Sequence, residues 1–477
     1  MSTVKRIAKN TAFTFSGDIL SKILTMILTI FITRFFTEVE FGKLSFALSF
    51  TGLFIILIDL GIRLLIIRSM ACDQKNASKY ISNALMLKAV SSFIVFWLIV
   101  LTINLMGYPP DTKLAVYLGA LIIILESLSG SLGSVFQAFQ KMKYPAINKV
   151  VRVLLRFCIT LPLLFLGYGL IPVLLAYLIV QIINFLMYIF QSRRFIKLEF
   201  KPDYQLMKQL IIGGFPFLLS SAFVVVYFRI DITMLSIMKG DAVVGWYSAS
   251  YNLIDAIISL TMALNAALLP VAILYYNESK EKLIRLYRTA AKVLFTVSLP
   301  IAVGGTLLAQ NIILFLYKEK YYNSIIALQI LLWALIPLFI NYLLGNLLIA
   351  IKKEKYGVPA LFINCIVNVG LNLILIPKYS YVGAAISTVV SEIVYFSMYY
   401  CIISKNLKFV NIFGLMIKPM IAALTMGLLI SILINKIHFI LIIIISIISY
   451  FGLLYLIKGI SEEDKIMLLR LIKKSEK

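Results

Sequence analysis

Apolar stretches of about 20 residues recur from one end of this 477-residue chain to the other, and they constrain its fold more tightly than any other feature. Twenty residues of helix rise about 30 Å, the thickness of the hydrocarbon layer of a bilayer. Such stretches begin near Thr11, Gly42, Ile81, Leu114, Val150, Gly169, Ile211, Val243, Ala291, Ser324, Val358, Val382, Ile412 and Phe439. They predict an all-α polytopic membrane protein of about fourteen transmembrane helices. A soluble core of this size would need a polar shell. With 61% hydrophobic and 14% charged residues the chain cannot supply one, since a soluble domain carries about a quarter charged. No segment between the stretches is long enough to house a soluble enzyme domain.

The formal net charge of +24 raises the question of nucleic acid, and the placement of the charge answers it. If the N-terminal tail is cytoplasmic and the chain alternates sides, cytoplasmic tails and loops hold 30 of the 45 Lys and Arg, outer loops hold 8, and spans hold 7. That bias over short loops is the positive-inside rule. It predicts a multi-pass protein of the inner or plasma membrane with both termini cytoplasmic. The basic balance then reports orientation and attraction to anionic lipid headgroups rather than nucleic acid. Lys5, Arg6 and Lys9 precede a span without a small-residue cleavage site, so no cleavable signal peptide is expected. Cys72, Cys158, Cys365 and Cys401 show no metal or redox spacing, and the single histidine, His438, is isolated. No cofactor or metal is expected.

The two longest loops, about Gln191–Gln209 and Tyr275–Ala290, mix basic and apolar residues, which predicts short helices lying on the cytoplasmic face. The tail after Ser461 reads as a capped amphipathic helix. Two internal matches suggest a repeat. Glu38-Val-Glu-Phe-Gly42-Lys-Leu-Ser45 parallels Asp241-Ala-Val-Val-Gly245-Trp-Tyr-Ser248, with each glycine opening the next helix, and Lys141-Met-Lys-Tyr144 parallels Lys353-Glu-Lys-Tyr356. Both offsets span six helices, an even number, so the copies share one orientation. This predicts a six-helix lobe over residues 1–192, an interfacial linker over 193–210, a second lobe over 211–404, and two extra helices with the tail over 405–477. Prolines such as Pro162, Pro216, Pro270, Pro300 and Pro337 fall within spans and tend to bend them.

The sequence resembles the polysaccharide-transporter branch of the multidrug/oligosaccharidyl-lipid/polysaccharide exporter superfamily, the Wzx-type flippases. The resemblance rests on Ile32-Thr-Arg34-Phe-Phe-Thr-Glu38-Val-Glu40-Phe-Gly42-Lys-Leu-Ser45 and Asp59-Leu-Gly61. It continues through Gln137-Ala-Phe-Gln-Lys-Met-Lys-Tyr144, Arg229-Ile-Asp231-Ile-Thr-Met-Leu235 and Gly245-Trp-Tyr-Ser-Ala249. The most specific text is Asn368-Val-Gly-Leu-Asn372-Leu-Ile-Leu-Ile-Pro377-Lys-Tyr, followed by Gly383-Ala-Ala-Ile-Ser387. The resemblance covers about spans 1 to 12. It implies two six-helix bundles, alternating access, and movement of polyprenyl-diphosphate-linked oligosaccharide from the cytoplasmic to the outer leaflet. The implied partners are lipid-linked oligosaccharide and membrane lipids, with glycan polymerase and glycosyltransferases as further candidates.

Such a cargo needs buried cations for its diphosphate, and charges inside a membrane are costly enough to point to function. Lys22, Arg63, Lys88, Arg152, Arg156, Arg229 and Lys418 lie within spans. Lys22, near the midplane, and Arg152 with Arg156, one turn apart, are the candidates for the diphosphate, because the arginine fork matches phosphate oxygens. The competing reading lets Arg152 snorkel and pairs Lys22 with Asp18. Arg63 and Lys88 are expected to snorkel. Arg229, Asp231 and Asp18 are structural or gate candidates. Glu126, Asp255 and Glu392 are deep acids that can exchange H+ or bind Na+ as the coupling ion, or else act as neutral or ion-paired struts. Tyr247 and Tyr251 can face sugars, although core packing suits them better.

Two alternatives keep the fold: an ion-coupled multidrug exporter, which calls for an acidic cavity, and a peptidoglycan lipid-precursor flippase, which shares the diphosphate handle. A third, a membrane glycan polymerase, normally needs a sizeable outer loop that this chain lacks. There is also no GxxxxGK[ST] loop for nucleotide. The reading is therefore a transporter, not an enzyme.

Overall fold

A backbone crossing hydrocarbon must satisfy its own N–H and C=O groups, and in a single segment only a helix does so. The computed structural model describes residues 3–199, 201–407, 412–434 and 436–459, and every long element among them is an α-helix. In chain order these are α1 Thr3–Phe35, α2 Glu38–Asp59, α3 Ile62–Cys72, α4 Ala77–Leu105, α5 Pro110–Ala138, α6 Lys143–Phe165 and α7 Leu170–Ser192. There follow α8 Tyr204–Lys239, α9 Asp241–Glu278, α10 Lys280–Tyr317, α11 Ser324–Ala350, α12 Gly357–Asn406, α13 Ile412–Leu433 and α14 Phe439–Leu456. Eleven stretches of the described chain are long and apolar enough to cross a membrane, and α6 and α9 are not among them. Lys149, Arg152 and Arg156 within one helix keep α6 below that threshold.

Two backbone breaks reconcile these helices with the fourteen expected spans. α12 is interrupted at Ser380 (φ 55°, ψ −136°) and so provides two crossings. α3 prolongs α2 after left-handed Leu60 (φ 52°) and Gly61 (φ 67°). Gly61 is required there twice over: its φ disfavours a side chain, and a β-carbon would stand 2.3 Å from the Gly214 carbonyl oxygen of α8. With α2 and α3 counted once and α12 twice, each expected span falls on its own helical segment.

The molecule forms two compact units, Met1–Ser248 and Ala249–Lys477. In the first, α1 packs on α6, α5 on α7, and α2 on both α5 and α8. In the second, α10 packs on α11 and α13, α11 on α12, and α13 on α14. α8 and the first two turns of α9 thus lie with the first unit.

The two loops expected to form surface helices do not. Around Tyr275–Ala290 the chain is simply the end of α9 and the start of α10, with Ser279 between them capping the Lys282 N–H. Residues 196–199 and 201–203 run as a non-helical strap along α4, and polar side chains of α4 hold it. Ser78 accepts from the Lys197 N–H at 3.1 Å, Ser82 from Glu199 at 3.0 Å and Asn83 from Asp203 at 2.8 Å. Buried Ile196 anchors the strap among Ile62, Ile66 and Met70. Pro202 and the open backbone partners on α4 favour this course over helix. The tail helix expected after Ser461 lies outside the described residues.

The repeated text around Gly42 and Gly245 becomes a physical contact within the first unit. Thr37 and Glu40 form a capping box that starts α2, so Gly42 falls in its second turn rather than at its opening. A β-carbon on Gly42 would stand 1.8 Å from the Asp241 carbonyl oxygen, and one on Gly245 would stand 2.0 Å from that of Glu38. Each glycine abuts the residue four positions before the other, so the first turns of α2 and α9 meet through a reciprocal clasp.

Candidate functional site

The first unit gathers its buried charge around α5 and α6. Glu126 lies about 18 Å along α5 from its Ala138 end, and Arg152 lies about 14 Å along α6 from its adjoining Lys143 end. The two therefore sit at similar depth, and Arg152 Nη1 donates to Glu126 Oε1 at 3.0 Å. One turn deeper, the Arg156 guanidinium covers the Tyr177 ring of α7 at 4.6 Å from its centroid, which leaves its N–H edges for other partners. The charges of Arg152, Arg156 and Arg229 all bear on Glu126. Arg229 of α8 runs along α2, its Nε 3.6 Å from where a β-carbon on Gly52 would stand. Arg152 Nε and Arg156 Nε are buried and bond no neighbour among the described residues.

One turn before Arg152, Lys149 bonds Asp18 of α1 at 2.6 Å. Asp18 thus reaches across the α1–α6 seam, and half-buried Lys22 follows it by one turn on α1. Of the residues singled out for the diphosphate, Arg152 and Arg156 share one face of α6, while Lys22 belongs to the helix that packs on α6.

Lys88 does not snorkel. Its side chain is wholly buried, with Nζ bonded to Asp59 of α2 and to Ser127 Oγ of α5 at 3.2 Å. Facing a carboxylate and a hydroxyl inside the protein costs less than stretching to the interface once both partners are in place. Asp231 is buried and accepts from Tyr247 Oη at 3.0 Å, which places that tyrosine in the core. At the start of α2, Lys43 pairs with Asp111 of α5, Phe46 stacks on Tyr108, and Tyr108 Oη bonds Ser236 Oγ of α8 at 2.8 Å. These contacts tie one end of α2, α5 and α8 together.

The other two deep acids belong to the second unit. Glu392, 3% exposed, accepts from Asn341 Nδ2 of α11 at 2.6 Å. The charges of Glu392 and half-buried Asp255 both bear on Tyr342. Beside Glu392 runs a polar seam that the reading of charges passed over: Asn372 donates to Asn368 at 3.1 Å, and Asn368 to Ser391 at 3.5 Å. With Asn364, these asparagines recur every four residues on one fully buried face of α12. That spacing is visible in the sequence, and two of the three amides, Asn368 and Asn372, lie in the text that carries the family resemblance. Among the described residues no three His, Cys, Asp or Glu come together as a metal site.

Comparison with known proteins agrees with this architecture. Residues 7–275 match the family model described as polysaccharide biosynthesis protein, and residues 216–374 match that of MatE. The chain is 23% identical over 400 residues to the capsular polysaccharide biosynthesis protein CapF of Staphylococcus aureus, covering 83% of this chain and 98% of that one. Its fold is similar to that of the lipid II flippase MurJ in an inward closed conformation, with a TM-score of 0.78, 17% identity, and 93% and 97% of the two chains covered. It is also similar to an inward-facing multidrug resistance MATE family transporter, with a TM-score of 0.64, 17% identity, and 83% and 98% covered. A family model covering more than half of the chain, on a fold of helices only, identifies this polytopic protein as a member of the polysaccharide biosynthesis protein family, in the multidrug/oligosaccharidyl-lipid/polysaccharide exporter superfamily.

Proposed function

We propose that the protein is a flippase that carries polyprenyl-diphosphate-linked oligosaccharide from the cytoplasmic to the outer leaflet by alternating access, driven by a gradient of H+ or Na+. The observation that carries this reading is the bond from Arg152 to Glu126 at 3.0 Å, with Arg156 one turn further along the same face of α6 and its buried Nε bonding no neighbour among the described residues. Two arginines on one face of α6 against one carboxylate leave a net positive site, where a divalent diphosphate is the natural complement. A cavity for cationic drugs would need the opposite sign, so the geometry favours an anionic cargo over the multidrug alternative. The excess of basic residues on alternate loops supports cytoplasmic termini in an inner or plasma membrane.

Glu392 and Asp255 are the stronger candidates for the coupling ion, because Arg152 already engages Glu126. The lipid II flippase fold keeps peptidoglycan precursor in view as a second cargo with the same diphosphate. Polymerases and glycosyltransferases remain proposed partners, acting after and before the transfer.

The test is transfer of a labelled lipid-linked oligosaccharide in proteoliposomes. Arg156→Ala combined with Lys22→Ala is expected to abolish transfer while the protein still inserts. Normal transfer by that double variant would remove the diphosphate site.

A further inference from the structure

We propose that Glu126 is a counter-ion filter: it holds Arg152 in the unloaded protein and yields it to a doubly charged diphosphate, but not to the singly charged phosphodiester headgroups of surrounding lipid. This rests on the diphosphate reading above and adds the residue that sets its selectivity.

Two ion pairs among the described residues of the first unit have opposite character. Lys88 has 0% of its side chain exposed and is held by both Asp59 and Ser127, so it cannot change partners without unfolding its surroundings. Glu126 and Arg152 keep 44% and 21% of their side chains open and share a single hydrogen bond of 3.0 Å. The first pair is built to stay; the second is placed to exchange.

A flippase faces a problem of numbers. Its cargo is rare, whereas phosphodiester headgroups with one negative charge surround it on every side. Bare arginines open to the bilayer would fill with phospholipid. With Glu126 in place, an entering anion must first displace a carboxylate. A headgroup with one charge replaces one anion–arginine contact by another, so it gains nothing. A diphosphate has charge on two adjacent phosphorus centres and can span Arg152 and Arg156, one helical turn apart. Arg156, whose guanidinium covers Tyr177 and whose buried Nε bonds no neighbour among the described residues, is available to the second centre. Selectivity then comes from a penalty on the wrong ligand rather than from extra contacts to the right one.

The test titrates the full-length protein in detergent with inorganic pyrophosphate and, separately, with phosphatidylglycerol, and takes the ratio of the two affinities. Wild type is expected to favour pyrophosphate. Glu126→Gln, equal in size but uncharged, is expected to shift the ratio toward phosphatidylglycerol at least about tenfold, equivalent to about 1.4 kcal/mol. Glu126→Asp keeps the charge and is expected to give an intermediate ratio; it decides the matter if the Gln variant does not fold. An unchanged ratio overturns the filter while leaving the diphosphate site standing. If wild type ignores pyrophosphate, the diphosphate reading falls. The filter, which is defined by yielding to a diphosphate, falls with it.

Discussion

Replacing Gly42 by alanine sets two known effects against each other, and the structure says which wins. Within a helix, Gly→Ala normally stabilises by about 0.5–1 kcal/mol because the unfolded chain loses freedom. Here the new β-carbon would stand 1.8 Å from the Asp241 carbonyl oxygen, where 3.4–4 Å is ordinary contact. The obstacle is backbone, so no side chain can swing away, and the first turns of α2 and α9 must part by about 1.5 Å. Overpacking of that kind costs about 1–3 kcal/mol and should exceed the propensity gain. Net of the propensity gain the loss is about 0.5–2 kcal/mol, so at about 2–4 °C per kcal/mol for a unit of some 250 residues the melting temperature should fall by roughly 1–8 °C. Gly245→Ala meets the Glu38 carbonyl oxygen at 2.0 Å and should behave alike. Because either substitution already opens the shared clasp, the double variant should cost clearly less than the sum of the two. Thermal melts of the three purified variants supply the readout. A rise in melting temperature for either single variant, or strict additivity in the double, would refute the clasp.

Three further outcomes follow from the same contacts. Asp59→Leu strands the fully buried Lys88 ammonium and should cost about 3–5 kcal/mol, whereas Lys88→Met leaves a carboxylate one-third exposed and should cost less. The double replacement should recover most of the loss, and equal melting-temperature losses in the two single variants would contradict this asymmetry. Replacing Glu392 by Gln and Asp255 by Asn should abolish gradient-stimulated transfer in proteoliposomes while passive exchange persists; unchanged stimulation with both replaced removes them as coupling groups. Lys79, bonded to Asp203 at 2.6 Å, and the Leu206 N–H hold the Asp203 carboxyl below the usual carboxylate range. The depressed value means that this tie supports the strap above about pH 4 and is lost as pH falls through it. Protection of the Lys197, Glu199 and Asp203 amides, taken relative to the intrinsic exchange rate at each pH, should therefore fall on acidification in the native protein, and Asp203→Asn should remove that dependence.

The crossings were legible because each one announces itself locally: a run of apolar residues long enough for the hydrocarbon has few other uses. The features that escaped notice depend on what lies beside a segment. The strap from Ile196 to Asp203 carries the mixed basic and apolar pattern of an interfacial helix, yet Ser78, Ser82 and Asn83 of α4 offer its backbone better partners than its own helix would. The break at Ser380 leaves no strong mark, since the glycine follows three residues later at Gly383 and the proline precedes it at Pro377.

Buried charge shows the same division more sharply. That Lys88, Arg152 and Arg156 lie within the membrane follows from position along the chain. Which of them is sealed and which can exchange does not. Helical spacing reports only neighbours on one helix, whereas Lys88 is answered by Asp59 and Ser127, and Arg152 by Glu126. Those partners stand on other helices, at separations that only packing sets. A lysine expected to reach for the interface is thereby locked in the core, and an acid whose two readings were a coupling ion or an ion pair is found against an arginine. Both residues are costly in hydrocarbon, so burial alone marks each of them for attention. The openness of the pair separates a strut from a site: Lys88 has no room to trade Asp59, and Arg152 has room to trade Glu126 for a ligand of higher charge.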